Sequence, residues 1–455
     1  METRRVTALA VWFGAAVGVP IAGCGASSQE RRHDEMLLDI RAAEQRAAQG
    51  DGRELFAGAT NLDRAALVEA VLARNPDVES ARQAWRAALA EYPQAGSLDD
   101  PMLSYGIAPL SLSGDMRVGQ RVELSQKIPW PGKRRLAGEV ALAEAEAARG
   151  ELEEVRLELA LMASNLYDDL YVTARSIEIN EQHQELLRQF KKAAEAQYVA
   201  GRASQQDPLQ AEVELAHLEH DRILLEADEG GIIAQLNGLL QRDPNAPLPL
   251  PPAEEPETRG PVGDGRAIAD QAMAARPELR TRSARLRGAR AEIEAARRES
   301  YPDIELMGSY DSMWDMPEHR WMVGFALEIP LQRGRRRAEV EKAEALSARA
   351  RSDEQKVRNQ IRVEVERAAL RAREGAHIVR VVKERLLPAA RDQVSAARAG
   401  FVAGKNEFVA LIAAENNLRR VELELHHARA DLSRRMAALD RAAGRLPGLG
   451  DGGVK

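Results

Sequence analysis

Histidine and methionine side chains are the residues of this sequence with the chemistry to bind a metal ion. His217 and His220 are three residues apart on a predicted helix, and His426 and His427 are adjacent. A histidine pair alone provides too few ligands for a metal site, and histidines on a long exposed helix are usually solvated. The sequence therefore predicts no metal site at either pair.

Three methionines fall in or beside the loops that connect predicted strands: Met116, Met313 and Met316. Thioether sulfur is a ligand for Cu(I), but chance occurrence is the better explanation for these residues. The chain also contains no GxxxxGK[ST] loop, no GxSxG elbow and no HExxH helix. We therefore expect no enzymatic activity, no cofactor and no metal centre.

The composition indicates long helices packed side by side. Of the 455 residues, 30% are charged and only 4% are aromatic, with alanine, glutamate, arginine and leucine dominating the long stretches. The formal net charge of -7 is small for this length, and acidic and basic residues alternate along the chain. No basic patch for nucleic acid is predicted.

The single cysteine, Cys24, excludes an intramolecular disulfide. Arg4 and Arg5 precede an apolar stretch, residues 6–21, that is short for a membrane span, so residues 1–23 are predicted to be a signal peptide. The letters "IAGC" resemble the lipobox of bacterial lipoproteins, which implies acylation of Cys24 and, with Gly25 next, an outer-membrane destination. The alternative is an ordinary signal peptide that happens to contain a cysteine.

The rest of the chain is a tandem duplication. "ARNPDVESARQAWRAALAE" from Ala73 aligns without a gap on "AARPELRTRSARLRGARAE" from Ala274. The same shift of 201 residues relates three pairs of prolines: Pro76 and Pro277, Pro101 and Pro302, Pro129 and Pro330. Each repeat reads as a helix, two strands and a long helical hairpin.

The predicted boundaries follow from this duplication. They are an extended N-terminal segment at 24–60, a first repeat at 61–242, a proline-rich linker at 243–262, a second repeat at 263–443 and a tail at 444–455. The strands are predicted at about 101–111, 118–128, 303–311 and 320–329, and the hairpins at about 133–241 and 335–443. The fold class is therefore mainly α with a small β part.

The predicted strands alternate apolar and polar residues. In the last of them Trp321, Val323 and Phe325 occupy every second position. Strands of about ten residues with one apolar face have the length of transmembrane β-strands. A soluble antiparallel hairpin with one face on a core fits the same alternation, so the strands alone leave both interpretations open.

The helical stretches favour an assembly of several chains. Residues 133–200 contain no proline, which predicts a helix about 100 Å long. The corresponding stretch of the second repeat has one proline, Pro388, where a kink is expected. A hairpin of this length has no second face to pack against within one chain, so neighbouring chains are implied.

Taken together, the pattern resembles the TolC-like outer-membrane factors over residues 62–446, and "QKIPWPGKRR" from Gln126 resembles their heavy-metal branch, the CusC-like and CzcC-like lipoproteins. This resemblance implies a homotrimer whose four strands per subunit close a twelve-stranded β-barrel, continued by an α-helical tube across the periplasm of a Gram-negative bacterium. It implies a passive exit duct, lipid-anchored and spanning the outer membrane. Its implied partners are outer-membrane lipids, a periplasmic adaptor and an inner-membrane RND pump that supplies the energy.

The resemblance also assigns the two hairpin turns, "YVAGRASQQDPLQAE" and "FVAGKNEFVALIAAE", as periplasmic tips that dock the adaptor. The residues matched there are Tyr198, Gly201, Arg202, Asp207, Phe401, Gly404 and Lys405. For Asp207, a favourable charge at a helix N-terminus and a role in gating are both open. Ala410 and Ala413 occupy the positions that carry acidic gate residues in TolC, and the nearest carboxylates are Glu407 and Glu415.

The junction between barrel and tube is predicted where each strand gives way to a long helix. Its residues are Pro129, Pro131, Gly132, Pro330 and Gly334. Proline ends the strand ladder and glycine permits the turn, and the following lysine and arginines are expected near the membrane interface. We expect one geometry at both junctions, with a contact of Trp130 particular to the first.

Other functions remain open at this stage. The cargo is expected to be heavy-metal cations, and drugs or type I secretion substrates are the alternative. A periplasmic adaptor is a different class of protein with long helical hairpins, but it has one hairpin and more strands. A coiled-coil scaffold lipoprotein would not need the duplicated alternating strands.

Overall fold

The computed structural model describes residues 27–50, 56, 58–108, 119–253, 262–314 and 316–449. The predicted signal peptide, Cys24 and Met116 lie outside the described residues, as do residues 254–261 of the predicted linker and residues 450–455 of the tail. The N-terminal half contains α1 (Ser28–Gly50), α2 (Arg64–Arg74), α3 (Pro76–Gly96), β1 (Met102–Ala108), β2 (Gly119–Ile128), α4 (Lys133–Val199) and α5 (Gln206–Leu239). The C-terminal half contains α6 (Gly265–Ala275), α7 (Pro277–Arg298), β3 (Asp303–Asp311), a 3₁₀ turn (Pro317–Arg320), β4 (Trp321–Glu328), α8 (Arg333–Val381), a π turn (Val382–Leu386), α9 (Leu387–Val402) and α10 (Phe408–Ala442).

A helix, α1, replaces much of the extended segment that the sequence predicts at 24–60. Met36 and Ile40, four residues apart, are buried in the core that α1 shares with α2, α3 and α4. Arg32 also forms an ion pair with Glu139 of α4 at 3.0 Å. The prediction of an extended segment is therefore wrong for Ser28–Gly50, because an apolar helical face has a core to bury against.

The helix predicted before each strand pair is broken in two. Asn75 has extended dihedral angles (φ -67°, ψ 130°), and its side chain accepts a hydrogen bond from the amide of Asp77 at 2.9 Å. Arg276 is extended in the same way (φ -61°, ψ 120°) before α7. Both breaks precede a proline, whose ring disfavours the α conformation in the residue before it. A single helix was therefore the wrong expectation in both repeats.

The long helices differ between the repeats. α4 runs for 67 residues without interruption. The corresponding helix of the second repeat passes through the π turn, where the amide of Leu387 bonds to the carbonyl of Val382, five residues earlier. Pro388 follows at once, and because proline has no amide hydrogen it cannot bond to the carbonyl four residues before it. The irregularity expected near Pro388 takes the form of this wide turn.

The four strands form one antiparallel sheet in the order β1-β2-β3-β4. β2 and β3 join the two repeats, with Ile128 opposite Ile304 and Val122 opposite Tyr310. One face of the sheet carries most of the apolar side chains of the four strands. Ten of these side chains are exposed: Leu103, Tyr105, Ile107, Val122, Leu124, Leu306, Trp321, Val323, Phe325 and Leu327. The described residues of this chain therefore leave that face uncovered.

The helices form an elongated bundle beside the four-stranded sheet. α4 packs against α5, α7 and α10, and α10 also packs against α8. Arg276 is buried where α4, α7, α8 and α10 meet, with its guanidinium 3.1 Å from Glu278 and 3.4 Å from Glu364. Among the described residues no helix combines the length and the apolar composition needed to cross a membrane.

Candidate functional site

Both hairpin tips have the same backbone geometry. Gly201 and Gly404 adopt left-handed conformations, with φ of 68° and 67°. In the first tip the amide of Arg202 bonds to the carbonyl of Gln197 at 2.9 Å, and in the second the amide of Lys405 bonds to that of Gly400 at 2.9 Å. This pattern is a Schellman motif, which requires a residue that tolerates positive φ and explains the glycines.

The aromatic residues of the two tips have different surroundings. The Phe401 ring is buried against Phe408, with ring centroids 5.4 Å apart, in a core that contains residues of both hairpins. Tyr198 is 44% exposed, and the valine after each aromatic, Val199 or Val402, is more exposed still. The first tip therefore presents an aromatic surface, whereas Phe401 holds the hairpins together.

The charged tip residues are accessible. Arg202 and Lys405 are exposed, and Asp207 lies half-buried in the first turn of α5. Among the described residues none of these three side chains forms an ion pair. Ala410 and Ala413 are exposed, so the positions compared with an acidic gate are open but uncharged.

The first strand–helix junction is held by a compact polar cluster. Lys133 Nζ lies 2.9 Å from Asp303 Oδ1 and 3.2 Å from Glu299 Oε2, and the amide of Trp130 donates to Asp303 at 2.9 Å. The Trp130 ring stacks on Tyr301 with centroids 5.4 Å apart. These contacts fix the end of β2, from the first repeat, to the start of β3, from the second repeat.

The two junctions do not share one geometry. Gly132 caps α4 with φ of 94° and ψ of -15°. A Cβ atom there would also lie 2.6 Å from the Arg298 guanidinium, which donates to the carbonyl of Pro131. Gly334 instead lies inside α8, and Gln332 caps that helix with a negative φ. The expectation of a shared junction is wrong, because the second copy begins its helix one residue before the glycine.

A buried charged cluster joins the two hairpins above the tips. His183 of α4 lies between two carboxylates of α10: Nδ1 is 3.0 Å from Glu415 Oε1, and Nε2 is 3.1 Å from Glu422 Oε2. The Glu415 contact is an ion-pair distance without hydrogen-bond alignment. Arg391 of α9 approaches Glu422 at 3.6 Å. Three helices therefore meet in one network of charges.

Titration of this cluster departs from ordinary values. Burial by itself lowers the pKa of His183, but interaction with Glu415 and Glu422 outweighs burial, and the net pKa is raised. Burial raises the pKa of Glu422, whereas His183 and Arg391 lower it, and the net pKa is lowered. Both shifts favour a charged imidazolium beside a charged carboxylate.

The family model described as outer membrane efflux protein matches residues 67–229 and 268–445. The chain belongs to this family. Each matched segment falls on one of the two repeats, which fits the internal duplication. Because this family consists of transport ducts, membership also confirms that the chain is not an enzyme.

Solved structures of outer-membrane channels share the fold of this efflux protein. The outer-membrane channel OprN is 21% identical, with 83% of this chain and 89% of that chain covered and a TM-score of 0.68. CusC, solved in a study of folding and transmembrane channel formation, is 19% identical over 85% and 93% of the chains, with a TM-score of 0.71. VceC, an outer membrane protein of Vibrio cholerae, is 18% identical over 83% and 95%, with a TM-score of 0.70. No curated protein sequence matches the chain.

The histidines of this efflux protein that sequence spacing singles out lie in different surroundings. His217 and His220 are exposed on α5, and His426 is half-buried beside Tyr171, whose hydroxyl lies 2.8 Å from its Nδ1. Burial, with nearby arginines, lowers the pKa of His426 to about 4. Within the described ranges, no group of three histidine, cysteine or acidic residues could hold a metal ion.

His183 is a candidate site residue that no motif or spacing in the sequence predicts. Its partner Glu415 stands out in the sequence only as a carboxylate near the second tip, and 232 residues separate the two positions. No local spacing reveals such a pair. The available signal was a polar residue on the packed face of α4, a helix that also buries Asp168 and Asn180 on its way to the tip.

Proposed function

We propose that this protein is the exit duct of a tripartite efflux system in the outer membrane of a Gram-negative bacterium. In this proposal three copies combine their four-stranded sheets into a twelve-stranded β-barrel, and the helical hairpins continue it as a tube into the periplasm. The observation that best supports this proposal is the uncovered apolar face of the sheet, on which Leu103, Leu306 and Phe325 are exposed. Lipid is the environment in which such a face is stable.

Closure into a barrel follows from the same physics. β1 and β4 form the two edges of the sheet, so one row of backbone groups on each has no partner within the described chain. In lipid, each unsatisfied backbone group costs several kcal/mol. A closed ring of sheets leaves no edge unpaired. This cost therefore favours a closed assembly of several copies over a single copy in the membrane.

We also propose that the tips dock a periplasmic adaptor linked to an inner-membrane RND pump. The exposed Tyr198, Arg202 and Lys405 support this assignment, because they offer an aromatic and basic surface at the free end of both hairpins. In this proposal the duct is passive, and the inner-membrane pump supplies the energy. Heavy-metal cations are the proposed cargo, on the resemblance of "QKIPWPGKRR" to the heavy-metal branch.

Fractionation and conductance test the duct. The full-length protein should remain in outer-membrane fractions after carbonate extraction, run as a heat-dissociable trimer and form pores in planar bilayers. A monomer released by carbonate, without conductance, would contradict the proposal. For the cargo, a deletion strain should become sensitive to metal salts; sensitivity to drugs alone would support the alternative.

A further inference from the structure

A wide groove is lined by α4, α8 and the C-terminal end of α10. Its volume is about 1250 Å³, and Arg276 and Glu278, at the start of α7, also line it. Seven of the lining residues are arginine or lysine, and three are glutamate. The surface of the groove is therefore basic.

The three glutamates of the groove are paired with two of its arginines. The guanidinium of Arg276 lies 3.1 Å from Glu278 and 3.4 Å from Glu364. The guanidinium of Arg441 lies 3.1 Å from Glu158. No lining carboxylate is therefore left over for the other five cations.

Two of these five cations pair with acidic residues that do not line the groove. Arg434 of α10 pairs with Asp169 of α4. Arg435 lies 3.0 Å from Glu374 and 2.8 Å from Asp431. Three cations of the groove remain.

These three cations are Lys356, Arg367 and Arg371 of α8. All three are exposed, and within the described part of the chain none of their side chains forms an ion pair. Arg367 and Arg371 are four residues apart, a spacing at which like charges on a helix repel each other. A bound anion would remove this repulsion, and the guanidinium group matches the paired oxygens of carboxylate and phosphate.

The groove lies on the opposite side of α8 and α10 from the core that holds α6. On α8, Val365 is buried in that core, whereas Arg367 lines the groove. On α10, Leu439 is buried in the same core, whereas Arg441 lines the groove. Positions two residues apart on an α-helix point in directions about 200° apart, so core and groove occupy opposite faces.

The same arrangement holds for α4. Leu159 is buried in the core that α4 shares with α2, and Leu161 lines the groove. α2 and α6 therefore form a second layer on one side of the long helices. In the proposed tube, these extra helices, each about 10 Å across, would obstruct the interior if they lay inside it. With α2 and α6 outside, the groove faces the lumen.

We propose that the groove is an anion-binding site on the wall of the duct, and that the grooves of three copies form a basic belt around the lumen. This inference rests on the proposed function, since only a closed ring gives the groove a lumen to face. The belt concentrates solutes that carry carboxylate or phosphate groups, because a cleft lined by one sign of charge attracts counter-ions. Metal cargo would cross the belt as anionic complexes, because bare cations are repelled.

Ion selectivity tests the belt. In planar bilayers under an about tenfold KCl gradient, pores of the full-length protein should pass chloride in preference to potassium. A variant with Lys356→Gln, Arg367→Gln and Arg371→Gln removes three positive charges from each copy. Its chloride-to-potassium permeability ratio should be lower by about threefold or more.

Arg41→Gln, Arg266→Gln and Arg362→Gln together are the matched control. These arginines are exposed on α1, α6 and α8, and they do not line the groove. The control removes the same charge and should leave the permeability ratio unchanged. Both triple variants should run as heat-dissociable trimers, which separates a loss of selectivity from a loss of folding.

Block by added anions identifies the group that the site prefers. Millimolar inorganic phosphate or citrate, added as the potassium salt, should reduce the chloride current of the wild type. The more effective of the two anions indicates whether phosphate or carboxylate is the better ligand. The variant of the groove should need about tenfold more of either anion for the same reduction.

The outcomes separate the belt from the duct. Wild-type pores that select potassium over chloride, or whose current responds to neither anion, would overturn the belt and leave the duct intact. Equal losses of selectivity in the groove variant and the control would also overturn it. A protein that forms no pore would contradict the proposed function itself, and the belt with it.

Discussion

Nδ1 of His183 lies 3.0 Å from Oε1 of Glu415, and the contact crosses from the long helix of the first hairpin to the returning helix of the second. Both side chains are almost fully buried, at 8% and 5% exposure. Removal of one partner from a buried ion pair costs about 3–5 kcal/mol, because the other charge is left uncompensated. The pair therefore contributes to holding the two hairpins together above the tips.

The first prediction is a pH-dependent stability. Because the folded pKa of His183 lies above its ordinary value of 6.5, its contribution is complete below about pH 6.5 and is lost as pH rises through the folded pKa. Glu422 has the opposite sign: its lowered pKa contributes above its ordinary value of 4.5 and is lost as pH falls through the folded value. The cluster should therefore stabilise the folded protein most between about pH 4.5 and pH 6.5, where both groups are charged.

Thermal unfolding of His183→Gln tests this window. The difference in Tm between wild type and variant should be largest near pH 6 and should shrink by about pH 8.5. His220→Gln, on the exposed face of α5, is the matched control and should change Tm little at either pH. A Tm difference that stays constant across this range would contradict a role for the charged imidazole.

The second prediction concerns the left-handed turn of the second tip. Gly404→Val places a β-branched residue at φ of 67°, which costs about 1–3 kcal/mol and distorts the turn. Export should be lost while the trimer still inserts into the outer membrane. Gly230→Val is the control, because Gly230 lies within α5 with no atom near its would-be Cβ and no positive φ. Normal export by the Gly404→Val variant would contradict the proposal that the second tip docks the adaptor.

The third prediction concerns charge at the first tip. Arg202→Glu should abolish adaptor cross-linking and export, because an exposed basic side chain is reversed where the adaptor is proposed to bind. Arg362→Glu reverses an exposed charge on α8, away from the tip, and should leave both unchanged. Equal losses in the two variants would indicate a general effect of charge.

The fourth prediction concerns the junction. Lys133→Met should lower the dissociation temperature of the trimer, because it leaves the largely buried Asp303 without its closest ammonium partner. Adding Asp303→Asn should restore part of the loss, with a coupling energy of about 1–3 kcal/mol in a double-mutant cycle. Lys192→Met, an exposed lysine on α4, is the control. Additive effects of the two junction substitutions would show that the ion pair is not coupled.

The fifth prediction concerns Cys24, which lies outside the described residues. If Cys24 is acylated, the mature protein should carry a lipid-modified N-terminal cysteine by mass spectrometry. Cys24→Ser should remove that mass and block lipoprotein processing. Ser27→Ala, three residues later, is the control. An unmodified cysteine within a signal-peptidase product would contradict lipidation.

Much of the architecture follows from local patterns in the sequence. Alternation places Trp321, Val323 and Phe325 on one face of a strand, and the absence of proline from 133–200 permits the 67-residue helix. The duplication was visible because the prolines of the two repeats keep one spacing. The glycines at 201 and 404 predicted the turns at the two tips, since few other residues tolerate positive φ.

Tertiary structure decided what depends on distant residues. His183 and Glu415 are 232 positions apart, so their pairing exists only once the two hairpins pack. Gly132 and Gly334 look equivalent in sequence, yet only Gly132 is left-handed, because Arg298 and Asp303 from the other repeat fix its junction. Local propensity sets the period of each element, whereas burial and charge pairing between elements select which residues meet.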